Sequence, residues 1–498
     1  MKDFFMKKND QQKFEIFKLI CFSQEGISGY SISTKVNLSL NLVYRKIKML
    51  ADNLNELFEP GDVFIVKNDI LYTIVIKDSV NISYVIDTLR LHYIQQSHEY
   101  LIFRTLLLKY YPSVESLSQD ISLSIAHTYK SLHLINKVLS SFKIEINFPR
   151  DDTQVNFKGS EIHFRLFLFY FYWNVFRGLV WPFRKAITYM KHIELPIENI
   201  PNSQKMRLKY FQSLSAWRIL YRGELVTIEP DFLAVITLLN QVHPIKFSLD
   251  LTISGDELIR EENYFAFLCR IFVYDIDTHA QKLETAKAFI QSDLPLAKSC
   301  TFVLNSLYMA YDVKPPEADY LFSYYSLLLA LASITYLQID NSDLLENNQK
   351  ISKLGKAYAD FPQMELELAV LAKKLFSEDH YLSALDSKGF SMHMVFLFYF
   401  ILDSSKKTEQ LKIYVQYSKN HFTTEEIKKS LSTFFSSELI LFVSNIEESD
   451  ILISDCYEKD YPNEDFFYFE NPVNENDWEA LINYINGKAY KKCFYKQF

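Results

Sequence analysis

Residues 39–54, SLNLVYRKIKMLADNL, and residues 124–139, SIAHTYKSLHLINKVL, share one pattern 85 positions apart. Each stretch begins with Ser, carries Tyr followed by Arg or Lys at its sixth and seventh positions, and places apolar residues at its ninth, twelfth and sixteenth positions. The offset also holds upstream, where it pairs Ile32 with Leu117, Ser33 with Ser118, and Val36 with Ile121. We interpret the pattern as an internal duplication of a helix-turn-helix, which predicts duplex DNA as the partner.

In the first copy, the apolar residues of the repeated helix recur at i, i+4, i+7 and i+11, a spacing that places them on one face: Val43, Ile47, Leu50 and Leu54. Shorter helical patterns at 11–22 and 31–36 precede this helix, and Ser39 stands at its expected N-cap. Two β-rich runs, Asp62–Lys67 and Leu71–Lys77, flank Asn68-Asp69 and predict a hairpin. The sequence therefore predicts a winged helix-turn-helix.

The second copy has the same plan. A helix is predicted over Glu99–Tyr110, another begins near Ser113, and Ser124–Leu139 is the recognition helix. Lys143–Phe148 and Gln154–Phe157 flank a turn-forming stretch and predict a second wing.

The candidate DNA-binding residues lie on the polar faces of both recognition helices and on the wings. Arg and Lys bind guanine edges or phosphates, and Asn can pair with adenine. A solvated basic face is the alternative, and each repeated Tyr could instead pack against the preceding helix. The candidates are Ser39, Asn41, Tyr44, Arg45, Lys48 and Lys67 in the first copy, and Ser124, His127, Lys130, His133 and Arg150 in the second.

Charge and composition limit the class of protein. Residues 1–158 hold 19 Lys and Arg against 17 Asp and Glu, whereas the remainder holds 34 against 44. A mildly basic N-terminal part on an acidic body suits DNA contact at one end. The five scattered cysteines form no CxxC, which indicates a reducing cytoplasm and no zinc site. No secretory signal opens the chain, and the apolar windows Phe164–Phe183 and Tyr324–Leu337 are predicted to be buried helices, so no membrane association is expected.

The predicted secondary-structure pattern changes twice in the remaining chain. Residues 160–405 are rich in long aromatic helical patterns, which we divide near residue 278. After 405 the order becomes strand, helix, three strands and helix, which predicts a small α/β domain with a mainly parallel sheet. Neither a Gly-rich phosphate loop nor a catalytic HExxH or GxSxG motif is present, so we expect no enzyme activity and no cofactor.

The tandem Ser-x-x-x-x-Tyr-[Arg/Lys] helices, the aromatic run Phe169–Trp173 and the stretch Gly178–Phe183 together resemble the Mga-type global virulence regulators of low-GC Gram-positive bacteria. The anthrax toxin activator is a relative of that family. The resemblance implies a mainly α, multidomain chain with two tandem winged helix-turn-helix domains at 1–85 and 86–160. Two helical-bundle domains similar to phosphotransferase-system regulation domains (PRDs) would follow at 161–278 and 279–406. A C-terminal α/β domain similar to sugar-transport EIIB would occupy 407–498.

The same resemblance implies a cytoplasmic transcriptional activator of virulence or carbon-use genes. It would bind double-stranded promoter DNA, form a homodimer through its C-terminal region, and be modulated by HPr or EII proteins of the phosphotransferase system. The alternative is a PRD-based RNA-binding antiterminator or a signalling-only phosphotransfer protein. Antiterminators carry a small β-sheet RNA-binding module at the N-terminus, where this chain has paired winged helices.

Histidines of the PRD-like regions are the expected phosphate acceptors, since phosphate there would add negative charge at an interface. The candidates are His393, His192 and His243, and an ordinary structural histidine is the alternative for each. The resemblance implies a further His near Arg222-Gly223-Glu224, but this chain has Glu224 there; Glu cannot accept the phosphate and mimics the charged state, which argues against phosphate control of the first PRD. The loop at 418–422 lacks the Cys that an active EIIB uses, which leaves this domain an interaction surface.

Overall fold

The computed structural model describes residues 5–23, 25–148, 155–182, 200–246, 253–273, 276–338, 361–384, 391–405, 410–418, 421–437, 439–456, 458 and 465–494. Over these residues the chain is mainly helical with a small parallel sheet, which confirms the expected class. Two compact units separate: Met1–Cys300 with Tyr325–Glu346, and Thr301–Tyr324 with Asn347–Phe498.

The N-terminal segment of the first unit is a three-helix bundle with a small antiparallel sheet. Its helices are α1 (Lys8–Cys21), α2 (Gly29–Val36) and α3 (Leu40–Leu57), and its strands β1 (Ile27–Ser28), β2 (Val63–Asn68) and β3 (Leu71–Ile76) pair in the order β1-β3-β2. The predicted apolar face of α3 is buried. The predicted hairpin is present, but its two-residue loop lies one position later than expected, at Asp69 and Ile70, with Asp69 left-handed at φ 55°.

Helix α4 (Ile82–Gln95) follows the hairpin and was not predicted. Its start is defined by Asn81, whose side chain accepts the amide N–H of Ser83 at 2.8 Å. Its apolar residues Val85 and Leu89, four positions apart, are completely buried. The domain boundary that we placed between residues 85 and 86 therefore falls inside a continuous helix.

The second copy comprises α5 (His98–Leu108), α6 (Val114–Asp120) and α7 (Ile125–Leu139), and an antiparallel hairpin of β4 (Glu145–Ile146) and β5 (Phe157–Lys158). Both strands are shorter than predicted, because each has only two paired residues. The expected hairpin tip at 149–154 lies outside the described residues.

Seven helices follow within the described residues: α8 (Glu161–Phe176), α9 (Asn202–Arg222), α10 (Pro230–Val242), α11 (Gly255–Phe272), α12 (His279–Ile290), α13 (Pro295–Ala310) and α14 (Glu317–Ala332). A π-helical turn, Ser333–Leu337, extends α14. The segment Glu317–Leu337 is long and apolar enough to span a membrane, but 67% of its most apolar window is buried inside the fold. That burial is typical of a core helix.

The second unit contains α15 (Phe361–Glu378) and α16 (Ser391–Ser405), followed by the α/β segment. Its elements are β6 (Leu411–Gln416), α17 (His421–Phe434), β7 (Ile440–Phe442), β8 (Ile451–Ser454), β9 (Phe466–Tyr468) and α18 (Glu475–Phe494). All strand pairs are parallel, in the order β7-β6-β8-β9, so the predicted parallel sheet is confirmed. Its alternating inward residues pack on α17 and α18.

Candidate nucleic-acid interface

The sequence duplication extends to the backbone of the two turns that precede α3 and α7. Asn37 and Ser122, 85 positions apart, are both left-handed, with φ values of 51° and 54°. In each turn the next amide donates to the carbonyl oxygen five residues earlier, at 3.1 Å in the first copy and 3.0 Å in the second. Ser28 and Ser113 cap the second helix of each copy at the same offset. Both turns therefore orient their third helices by the same local geometry.

The polar faces of the two third helices are solvent-exposed along most of their length. Ser39 occupies the N-cap of α3 with extended backbone, but its hydroxyl makes no capping hydrogen bond, whereas Ser124 accepts the amide of His127 at 3.3 Å. The exposed candidates are Ser39, Asn41, Tyr44, Arg45 and Lys48 on α3, Lys67 on β2, and Ser124, Lys130 and His133 on α7. These side chains are free to approach a ligand from solvent.

Tyr44 packs within its own unit. Its ring lies so close to Gly29 in α2 that a Cβ atom at that position would approach the Tyr44 Cε1 atom to 2.5 Å. On the other side its centroid is 6.3 Å from that of Tyr72 in β3, and Lys67 Nζ lies 5.8 Å from the Tyr72 ring. Burial, and then the neighbouring Tyr44, raise the pKa of Tyr72. Tyr44 therefore connects α3 to the β2–β3 hairpin although its side chain is partly exposed, and Tyr129 at the matching position of the second copy is exposed too.

His127 on α7 is half-buried and faces the first turn of α5. Its Nε2 lies 2.6 Å from Nδ1 of His98, and the two rings meet edge to face with centroids 4.6 Å apart. Ser131, one turn later, donates to the Glu99 carboxylate at 3.0 Å. The pKa of His98 is lowered by burial, then by Lys7 and His127, with Glu99 acting in the opposite direction. These contacts fix the start of α7 on α5.

The second wing is held against α7 by side-chain amides. Asn136 donates to the carbonyl of Ile146 at 3.0 Å and accepts that residue's amide at 2.7 Å. Asn156 is buried, accepts the amide of Tyr111 at 2.8 Å, and donates to the Tyr111 and Asn147 carbonyls. Arg150, the candidate DNA-binding residue of this wing, lies outside the described residues.

One basic residue of α3 is not part of its exposed face. Lys46 is buried and donates to the Asn9 side chain at 2.5 Å. Burial first, then Arg45 and Lys13, lower its pKa, and Asp10 opposes them. Arg45 and Lys48, close to it in sequence, are exposed. Only the helical periodicity of α3 could have predicted that Lys46 lies on the buried face instead.

A polar cluster joins α4 to α1 and α3. Lys13 is buried, lies 3.0 Å from Asp10, donates to Asn53 Oδ1 at 2.8 Å, and stands 4.3 Å from the centroid of the Tyr93 ring. The Tyr93 hydroxyl donates to the same Asn53 oxygen at 2.9 Å. Because buried polar groups are costly unless satisfied, these contacts favour one docking geometry of α4.

The other side of α4 is tied to the end of α8. Arg90 is buried and donates to the carbonyls of Asn174 and Val175, the latter at 3.0 Å. Asp87 accepts from Arg177, just past α8, at 2.8 Å. A guanidinium at a helix C-terminus satisfies orphan carbonyls and complements the helix dipole. Helix α4 therefore links the first winged helix to the helical region that follows the second.

The histidines expected to accept phosphate are described only in part. His243 follows α10, and its Nε2 lies 3.1 Å from a Glu284 carboxylate oxygen, an ion-pair distance without hydrogen-bond geometry. His192 lies outside the described residues, as does the side chain of His393 in α16. At the carboxyl edge of the parallel sheet, Ser418 donates to Asp455 through both its amide and its hydroxyl, and Cys456 lies beside Gln416.

Within the described part of the chain, no group of three or more His, Cys, Asp or Glu residues is arranged to hold a metal ion. Residues 84–172 match the family model of the Mga helix-turn-helix domain. The match covers nearly all of α4, the whole second winged unit and most of α8, and it identifies this stretch as similar to a DNA-binding regulator domain. A comparison with curated proteins found no match.

Proposed function

We propose that this protein is a transcription regulator that binds promoter DNA through both α3 and α7. The observation that carries the proposal is the pair of turns with matching backbone geometry, 85 residues apart, each followed by a helix with an exposed basic face. A recognition helix of this kind fits the major groove, and its polar side chains contact base edges and phosphates. The similarity of residues 84–172 to a regulator domain supports the same function.

Replacing Arg45 and Lys130 together by Ala tests this proposal. We expect each lost base contact to weaken promoter binding by about 1–3 kcal/mol, and each lost phosphate contact to reduce the salt dependence. The matched control replaces Lys298 and Lys374, two exposed helical lysines outside the winged units, by Ala. Equal affinity of the folded test variant, the control and the wild type in fluorescence anisotropy would exclude α3 and α7 as the DNA-binding helices.

The finer regulatory proposal is that the helical segments at 161–278 and 279–406 are PRD-like and the segment at 407–498 is EIIB-like. Phosphorylation by HPr or EII proteins would then tune an activator of virulence or carbon-use genes. Among the candidate acceptors, Glu284 stands 3.1 Å from His243 and would repel a phosphate there, which favours His393. His393→Asp and His393→Ala should differ in promoter output; identical output from both would make this histidine structural.

We further propose a cytoplasmic homodimer formed through the C-terminal region. Cyclic dimers are the commonest oligomers, and a regulator with two DNA-binding units per chain gains affinity from pairing. Sedimentation of the full chain and of a truncation ending at Ser405 measures this directly. Dimeric mass should be lost on truncation, and a monomeric full chain would contradict the proposal.

A further inference from the structure

A cavity of about 120 Å³ lies inside the first unit, between the second wing and the end of α9. This volume is far larger than the ~10–15 Å³ that a single water requires. Its walls come from two parts of the chain: residues after α5 and on β5, and residues on α8 and α9. The polar lining consists mainly of Tyr110, Lys158, Glu161, Arg218, Arg222 and Glu224.

The floor of the cavity is a charge network that is already balanced. Arg218 donates to both carboxylate oxygens of Glu161, at 2.9 and 2.6 Å. Arg165, completely buried beneath, pairs with Glu161 at 2.8 Å and with both oxygens of Glu261. Two guanidinium groups thus face two carboxylates, and the network needs no further counter-charge.

The mouth of the cavity carries positive charge that this network does not neutralise. The Arg222 guanidinium makes one described hydrogen bond, from Nη2 to the carbonyl of Leu107 at 2.5 Å, and lies 5.6 Å from the Trp217 ring centroid. Lys158 is exposed on β5 and has no described ion-pair partner. Most donors of these two cations are therefore available, since a guanidinium has five and an ammonium three.

The electrostatics of Arg222 also favour an additional anion. Its pKa is lowered by partial burial first and by the neighbouring Arg218 second, while Glu224 opposes the shift. A negative group between Arg222 and Lys158 would offset the repulsion between the guanidinium groups. A carboxylate oxygen of Glu224, which also lines the cavity, lies 4.0 Å from Arg218 Nη2.

We propose that this cavity is a binding site for a small organic anion with one phosphate or carboxylate group. Arg222 and Lys158 hold the anionic group, and Tyr110 and Glu224 face the rest of the molecule. The volume admits a compact metabolite and excludes a polymer. Because Lys158 belongs to the wing and Arg222 to α9, the bound anion joins the second winged unit to the helical region.

Isothermal titration calorimetry of the full chain tests the site, with inorganic phosphate and succinate as separate probes in a buffer matched for ionic strength with chloride. We expect saturable binding of at least one probe, weakened at least about tenfold in Arg222→Gln and in Lys158→Gln. Lys137→Gln, which removes an exposed cation on α7 outside the cavity, should bind like the wild type.

Lys158 is exposed, so Lys158→Gln should keep the wild-type melting temperature, whereas Arg222→Gln also loses the hydrogen bond to the Leu107 carbonyl; the melting temperatures of both variants are measured in parallel. Saturable binding of phosphate alone or succinate alone identifies the anionic group. Heats indistinguishable from the chloride control with both probes, or equal affinity in all variants, overturn the proposal. The titration contains no DNA, so its failure leaves the proposed promoter binding intact.

Discussion

The contact between His98 and His127 should make the docking of α7 on α5 sensitive to acid. Only one proton fits between nitrogens that are 2.6 Å apart, so the contact is lost once acidification protonates both facing nitrogens and brings two cationic rings together. With centroids 4.6 Å apart, their repulsion is about 1 kcal/mol at a dielectric of ~80 and about 4 kcal/mol at ~20. Both rings are half-exposed, so we expect a cost of about 1–2 kcal/mol.

The direction of the effect follows from the pKa of His98, which is lower in the folded chain than its ordinary value. The unfolded state binds the proton more readily, so the contact stabilises fully above the unfolded pKa of about 6.5. That stability is lost as the pH falls from this value toward the folded pKa. Lys7 adds to the repulsion and Glu99 reduces it, and both surround His98 in every variant considered below.

Hydrogen exchange of the amides at the start of α7 measures this loss locally, after correction for the intrinsic pH dependence of exchange. Between pH 7.5 and 5.5 the wild type should lose protection by about fivefold or more, equivalent to about 1 kcal/mol. His98→Asn keeps a polar group near Nδ1 but cannot become a cation, and it should lose much less. His92→Asn on α4 is the matched control and should respond like the wild type. Equal pH responses of His98→Asn and the wild type would refute the reasoning.

Three further perturbations follow from the same structure. Arg90→Met leaves two helix-end carbonyls unsatisfied and should lower the unfolding free energy by about 1.5–3 kcal/mol in a denaturant titration, with a smaller loss for the more exposed Arg177→Met. Arg165→Met should cost about 3–5 kcal/mol by the same measurement, because it leaves buried carboxylates without a counter-charge. Gly159→Ala should cost about 1–3 kcal/mol in thermal melts, since φ is 149° and the new Cβ would approach the Lys143 carbonyl oxygen to 2.9 Å. If any of these variants is as stable as the wild type, the stabilising role assigned to the replaced residue is wrong.

The elements that could be predicted from the sequence are those whose signal is local. The apolar period of α3, the β-rich hairpin after it and the parallel sheet of the C-terminal segment all depend on residues within one window. The 85-residue repeat allowed the same helix-turn-helix to be predicted twice from independent stretches. The repeat also holds for the left-handed backbone at residues 37 and 122. Helix α4 was missed despite its N-cap Asn81 and the spacing of Val85 and Leu89, because the domain boundary was placed inside it.

The contacts that organise the candidate sites could not be predicted because they join distant residues. Arg165 and Glu261 are 96 positions apart, and neither position differs locally from a surface ion-pair residue. Lys46 appears in sequence as one of three basic residues on a recognition helix, yet it is buried on Asn9, 37 positions earlier. Likewise, His127 lies on a predicted DNA-binding face, but its partner His98 is fixed only when α5 and α7 pack.

The two ends of α8 suggest how the proposed anion site would act on DNA binding. Its first residue, Glu161, is in the cavity floor, and the carbonyls of Asn174 and Val175 at its other end accept from Arg90 on α4. This 16-residue helix spans about 24 Å, so an anion that displaced Glu161 would act on one end of the element whose other end contacts α4. Arg90→Met should therefore leave anion binding unchanged in calorimetry while removing any effect of the anion on promoter affinity. An anion effect that persists in this variant would mean that the second wing, through Lys158, carries the coupling without α8.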